Sequence, residues 1–204
     1  MNKNVPNILT ISRIICTPIM ILMFLLPINN GIGVFVALGI YVLGCFTDFL
    51  DGYIARKYNL ISDFGKFMDQ IADKFITTSA MILVLFAGAV KPMWVAILIL
   101  LIVVLRDILI SGIRMYAANK NIVIAADIFG KIKSLLLDIA TMILMANIGL
   151  SLVSNQTETL STVNNVIGYV GLGLICLGTV MALLSCVNYS VKAVVSMKKA
   201  SEVK

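Results

Sequence analysis

Asp48, Asp51, Asp69 and Asp73 are the residues of this chain best placed to do chemistry. They lie in one 26-residue stretch, D-F-L-D-G-Y-I-A-R-K-Y-N-L-I-S-D-F-G-K-F-M-D-Q-I-A-D, which with Asp63 holds five of the ten acidic residues. Apolar runs flank it on both sides, and ionisable groups in or beside membrane helices are costly enough that a cluster of them marks a functional site. Asp48 and Asp51 stand at i, i+3 and Asp69 and Asp73 at i, i+4, so each pair projects from one face of its helix. Eight residues separate Arg56 from Gly65, enough for a short turn that lets the two faces meet and brings four carboxylates into one small volume.

Four such anions cannot all stay ionised without counter-charge: either some protonate or cations bind between them. All-carboxylate oxygen sites suit hard cations such as Mg2+, Mn2+ or Ca2+, and two ions in one site form a clamp for phosphoryl displacement. Gly52 and Gly65 weaken their helices, as glycines do where a ligand or another backbone comes close. Arg56, near the same helix end, can pair with a phosphate. The bland reading of the same residues is a set of solvated helix-end charges.

The pattern D-x2-D-G-x2-A-R-x8-G-x3-D-x3-D, filled by Asp48, Asp51, Gly52, Ala55, Arg56, Gly65, Asp69 and Asp73, resembles the signature of the CDP-alcohol phosphotransferase family. The resemblance covers essentially the whole chain, 1–204, as one membrane domain. It implies transfer of the phosphatidyl group of CDP-diacylglycerol to an alcohol with release of CMP. It further implies two Mg2+ or Mn2+ ions held by Asp48, Asp51, Asp69 and Asp73, with Asp73 also the general base on the acceptor hydroxyl. Gly52, Ala55 and Gly65 would make room for the cytidine and Arg56 would hold its phosphates. A homodimer, formed through the third and fourth spans, is implied as well.

With 60% hydrophobic residues and a mean hydropathy of +1.04 over 204 residues, the chain is too apolar for a soluble globule. The expected fold is an all-α polytopic membrane protein with six transmembrane helices, at about 7–28, 33–58, 66–89, 93–118, 126–150 and 163–192. Turns are expected at Asn29-Asn30-Gly31 and Lys91-Pro92, with a polar loop from Ser154 to Asn165. Of sixteen Lys and Arg residues only Lys91 falls on one side, so both termini and the aspartates are expected to face the cytoplasm of a multi-pass cell-membrane protein. The net charge of +6 does not indicate nucleic acid, because no basic run is interleaved with aromatics. Histidine is absent, which removes His-based catalysis, and no GxxxxGK[ST] phosphate loop occurs. Cys16, Cys45, Cys176 and Cys186 sit in apolar runs without metal-ligand spacing and read as small core residues.

A second group is basic. Span four carries Arg106 and Arg114, eight apart and within about 80° of one another around the helix. Span five opens with Asp127, Lys131 and Lys133. Cations this deep need partners, and four converging beside a carboxylate site point to a separate anion pocket, although snorkelling to headgroups would account for one or two. Near the N-terminus, Pro6-Asn7, Thr10 and Arg13 resemble the P-N-x-x-T-x-x-R opening of the phosphatidylglycerophosphate synthase branch of the family. That resemblance places Asn7 with the CDP-lipid and Thr10 with the acceptor phosphate; a helix N-cap and a snorkelling arginine would read alike. The stretches around Arg106 and Lys131 resemble R-E-x5-G-x-R and G-K-x-K-T of those synthases, with Asp107 for Glu and Ser134 for Thr. Met68-Asp69-Gln70 departs from the usual Leu-Asp-Pro. Tyr189 occupies the place of a tyrosine lining the acceptor pocket, where an interfacial anchor would look the same.

The basic pocket argues for a phosphorylated alcohol, and the N-terminal and span-four resemblances imply glycerol 3-phosphate, with inositol phosphate, serine or phosphatidylglycerol as the alternative acceptors. An ion-coupled transporter is the rival from another class, but the charges sit at one membrane edge and no inverted repeat is visible. Gly168, Gly171 and Gly178 are expected to allow close helix packing, and the lysine-bearing tail to approach anionic lipid. The sequence does not decide the role of Asp138.

Overall fold

The structure, a computed structural model, describes residues 5–26, 28, 31–57, 63–119, 128–153 and 158–202; for 5–9, 50–57, 63, 64, 66, 67, 118, 119 and 199–202 it describes the backbone only. The described residues form six helices: α1 (Val5–Leu25), α2 (Ile32–Lys57), α3 (Asp63–Phe86), α4 (Met93–Asn119), α5 (Ile128–Ser151) and α6 (Glu158–Glu202). The chain falls into two compact units, one of Met1–Ala89 with Thr141–Tyr169, the other of Val90–Ala140 with Val170–Lys204.

In the first unit α1 packs on α2 and α3, and α2 on α3. The contact stripes follow a three-four spacing, the i, i+3, i+4 rule for one helix face. On α1 the buried positions are Thr10, Arg13, Thr17 and Met20; on α2 they are Val34, Ala37, Tyr41 and Gly44; on α3 they include Ala72, Ile76, Ala80 and Val84. Glycine permits a close approach at two points. A Cβ on Gly44 would meet Ile76 Cδ1 at 2.5 Å, and Gly31, at φ +86°, abuts the Gly149 carbonyl. Asp48 lies one turn beyond Gly44 and Asp69 one turn before Ala72, so the tight α2–α3 seam runs out into the aspartates.

The second unit repeats the rule. Ala96, Ile99, Val103 and Ile110 mark the buried stripe of α4, Lys133, Leu137 and Ala140 that of α5, and Ile175, Ala182, Ser185, Tyr189 and Ala193 that of α6. A Cβ on Gly178 would meet Leu137 Cδ2 at 2.8 Å, which bears out the close packing expected there, and Gly168 abuts Asn147 in the first unit in the same way.

Among the described residues four helices are long and apolar enough to cross a membrane, within Ile32–Phe49, Met93–Ala117, Ile128–Ser151 and Glu158–Lys198; Thr10–Leu25 is a shorter apolar helix. Large apolar side chains such as Phe46, Trp94, Leu105 and Tyr169 are exposed, as suits lipid rather than water. One boundary differs from expectation. Residues 158–165, taken for loop because Ser, Thr and Asn favour turns, are helical: Ser161 and Thr162 bond back to the Glu158 carbonyl, Asn147 Nδ2 donates to Asn164 Oδ1 at 2.8 Å, and Glu158 favours the helix N-terminus. At its other end α6 continues past 192 to Glu202, 45 residues in all, about 68 Å at 1.5 Å per residue.

Candidate active site

Arg13 is the hub of the first unit's polar end. Its Nη1 donates to Asp48 Oδ1 in a short ion pair and its Nη2 donates to Asp69 Oδ1 at 3.0 Å, so one guanidinium from α1 joins α2 to α3. The arginine is 2% exposed, the two aspartates 39% and 42%. Snorkelling, the bland expectation for Arg13, is therefore wrong: the side chain runs inward along the stripe it shares with Thr10 and Thr17. Thr17 donates its hydroxyl to the Arg13 carbonyl at 2.8 Å, one residue before Pro18 removes an amide from the helix ladder.

Asp73, one turn after Asp69, acts electrostatically on Asp48, as Asp69 does. Asp48 and Asp69 are thus joined through Arg13 from two helices, with Asp73 within electrostatic reach of Asp48. Lys74 Nζ lies 3.4 Å from Asp73 Oδ2 with both groups well exposed, a pair of little energetic weight. Gly65 is half-buried at the start of α3, and Gln70 is exposed within an unbroken helix, so the departure from Leu-Asp-Pro leaves Asp69 in its register. Thr10 is buried one turn before Arg13. The side chains of Asn7, Asp51, Gly52, Ala55 and Arg56 lie outside the described residues; their backbone belongs to α1 and α2.

Among the described residues no three His, Cys, Asp or Glu side chains close on one point as a metal cage. Between Asp48 and Asp69 stands a guanidinium instead. An all-oxygen donor set that is open to solvent and already bridged by a stand-in cation fits a hard divalent ion in its chemistry.

The basic group lies in the second unit and is arranged differently from expectation. Arg106 Nη1 donates to Asp107 Oδ1 at 2.8 Å, and Lys133 Nζ donates to both Asp107 oxygens at 2.8 and 2.9 Å. Arg106 Nη2 also donates to Ser185 Oγ of α6 in a short bond. A Cβ on Gly130 would stand 3.0 Å from Arg106 Nη2 and 3.3 Å from that Oγ, so the glycine of α5 makes room for the link. Arg106 and Lys133 were expected to await an external anion. Asp107 instead gives both a carboxylate, because a buried cation without a partner is too costly to keep.

Two of the predicted residues retain open chemistry. Arg114 sits with its Cζ 5.8 Å from the centroid of the Tyr189 ring, a cation–π arrangement. Tyr189 is buried, and its hydroxyl has no hydrogen-bond partner among the described residues, a defect that native proteins rarely leave unfilled. Burial rules out the interfacial-anchor reading of this tyrosine. Lys131, two residues from Lys133 and about 200° around the helix, is exposed. Asp138 is half-buried on α5, and the four cysteines are free.

A sequence profile described as CDP-alcohol phosphatidyltransferase matches residues 3–177. The chain belongs to the CDP-alcohol phosphatidyltransferase family. Proteins named CDP-diacylglycerol–glycerol-3-phosphate 3-phosphatidyltransferase resemble it over most of its length. The one from Rickettsia prowazekii is 39% identical over 144 residues, 71% of this chain and 76% of its own. That from Bacillus subtilis is 33% identical over 162 residues, 74% and 81% of the two chains, and that from Shigella flexneri 31% identical over 191 residues, 93% and 94%. The chain is accordingly a transferase of phospholipid synthesis, and the transporter reading falls away.

Sequence reasoning missed two members of these clusters. It placed Arg13 in the N-terminal resemblance, with a snorkelling side chain as the other reading, and gave it no role in the site, and it did not single out Ser185. Both sit on three-four stripes of buried residues, where a charged or hydroxyl side chain signals a built polar contact.

Proposed function

We propose that this protein transfers the phosphatidyl group of CDP-diacylglycerol to sn-glycerol 3-phosphate, giving phosphatidylglycerophosphate and CMP. The observation that carries the proposal is that Asp48 of α2 and Asp69 of α3, two aspartates of the family signature, share one buried guanidinium. The names of the relatives support the substrates.

In this reading Asp48, Asp51, Asp69 and Asp73 hold two Mg2+ or Mn2+ ions, which when bound supply the positive charge that neutralises the pyrophosphate and the in-line transition state. Asp73 accepts the proton of the acceptor hydroxyl as its oxygen attacks the phosphorus that carries the diacylglycerol. The bond from that phosphorus to the CMP oxygen breaks, and CMP leaves with the electron pair. Asn7, Gly52, Ala55, Arg56 and Gly65 bind the CDP-lipid. Arg114 and Tyr189 hold the acceptor, whose oxygens satisfy the buried hydroxyl; Arg106, Lys133, Lys131 and Thr10 complete its phosphate site. The whole chain, 1–204, is one family domain, with six membrane spans in the cell membrane, both termini and the site facing the cytoplasm, and a homodimer as the working form.

Purified protein offered CDP-diacylglycerol with glycerol 3-phosphate, inositol phosphate, serine or phosphatidylglycerol should release CMP at least about tenfold faster with the first. Arg114→Ala should raise KM for glycerol 3-phosphate about tenfold while leaving KM for CDP-diacylglycerol nearly unchanged. Preference for another acceptor would overturn the acceptor assignment, and equal effects on both KM values would remove Arg114 from the acceptor site.

A further inference from the structure

Arg13 lies outside the aspartate motif, yet it pairs with two of the motif's carboxylates. We propose that Arg13 is the resident counter-cation of the aspartate site: its guanidinium holds the place of positive charge between Asp48 and Asp69, and a divalent ion must compete with it to bind. The inference rests on the reading of these aspartates as a metal site and adds to it a residue that sets how tightly the ion is held.

The first argument is charge. Among the described side chains Asp48, Asp69 and Asp73 set three carboxylates against the one guanidinium of Arg13, an excess of acid that leaves positive charge still to be supplied. Without Arg13 three anions would face one another at the end of an apolar seam, where mutual repulsion is strong. The only other cation described beside them, Lys74, is exposed and pairs with Asp73 from the solvent side.

Placement is the second argument. An arginine that merely anchored α1 at a membrane surface would point its head to water. This one is buried on the helix stripe, reaches one carboxylate on α2 and one on α3, and emerges from a backbone held by Thr17 and stiffened by Pro18. Both carboxylates it engages belong to the family signature. Guanidinium and divalent ion therefore draw on the same two carboxylates, and their binding is antagonistic by charge. The aspartates are held in register when the ion is absent, and the ion stays exchangeable when it is present.

A purely structural Arg13 and a counter-cation Arg13 predict opposite signs. If the arginine served only to hold the helices together, its loss would misplace the ligands and weaken metal binding. If it competes, its loss should tighten binding while the metal-free protein becomes less stable. The measurement is Mn2+ binding to the purified full chain in detergent, read from the free-ion electron paramagnetic resonance signal, with metal-free thermal unfolding alongside. Arg13→Gln should lower the Mn2+ dissociation constant about tenfold relative to the parent protein, lower the metal-free Tm, and enlarge the rise in Tm that Mn2+ produces. Arg13→Lys keeps the charge on a shorter side chain without the planar fork of the guanidinium, so it should tighten binding by a smaller factor, and it serves alone if the glutamine variant does not fold. Binding that is unchanged or weaker in the folded variants overturns the counter-cation role while leaving the metal site intact. A parent protein that binds no Mn2+ at millimolar concentration overturns the metal-site reading and the inference with it.

Discussion

Arg106 and Lys133 differ from Arg114 in what they already hold. The first two share the Asp107 carboxylate, so their charges are half spent before any ligand arrives; Arg114 faces the ring of Tyr189. A substrate phosphate arriving here would join an existing ion cluster, with Ser185 and Gly130 fixing where the Arg106 guanidinium lies. Removing the carboxylate should expose that division of labour. Asp107→Asn leaves two buried cations without counter-charge and should cost about 3–5 kcal/mol of stability. A phosphate ligand then becomes the missing anion, so glycerol 3-phosphate should raise Tm more in Asp107→Asn than in the parent. An equal rise in both, measured by thermal unfolding in detergent, would show that the acceptor does not bind at this cluster.

At the scale of elements, the seam between α2 and α3 decides where the aspartates stand. Gly44 lets Ile76 come into contact one turn before Asp48, so the separation of the two helices is set by a residue with no chemistry of its own. Gly44→Leu should cost about 1–3 kcal/mol by overpacking and lower the rate of CMP release further by moving Asp48 from Asp69. Gly39, on the same helix, has nothing within 4 Å of its Cβ position, and Gly39→Leu should leave Tm and rate nearly unchanged. If the two substitutions behave alike, the seam does not position the site. The same elements show what could be read from sequence. The aspartate pairs were legible because i, i+3 and i, i+4 are local spacings. The partner of Asp48 was not, since Arg13 lies 35 residues away on another helix, and Ser185 lies 79 residues from Arg106. Helix existence followed from apolar length, whereas residues 158–165 were misread because local Ser, Thr and Asn preferences yielded to tertiary contacts such as Asn147 with Asn164.

For the molecule as a whole, the two units divide the chemistry among the described residues: carboxylates and the buried Arg13 guanidinium in one, a partly neutralised basic cluster with an open tyrosine hydroxyl in the other. That division suits a reaction between two anionic substrates, one of which needs cations supplied to it and the other fixed basic side chains. The family supplies the reaction class, and the aspartates supply the prediction that decides the account. The most direct test is CMP release from CDP-diacylglycerol and glycerol 3-phosphate by purified protein, with Mg2+ or Mn2+, with chelator, and with Asp73→Asn. Release should require the metal and the acceptor, and Asp73→Asn should lower kcat by a factor of about 10² to 10⁴, the range for loss of a general base. Release that persists in chelator, or that survives Asp73→Asn within about tenfold, would contradict the metal-dependent, Asp73-assisted transfer.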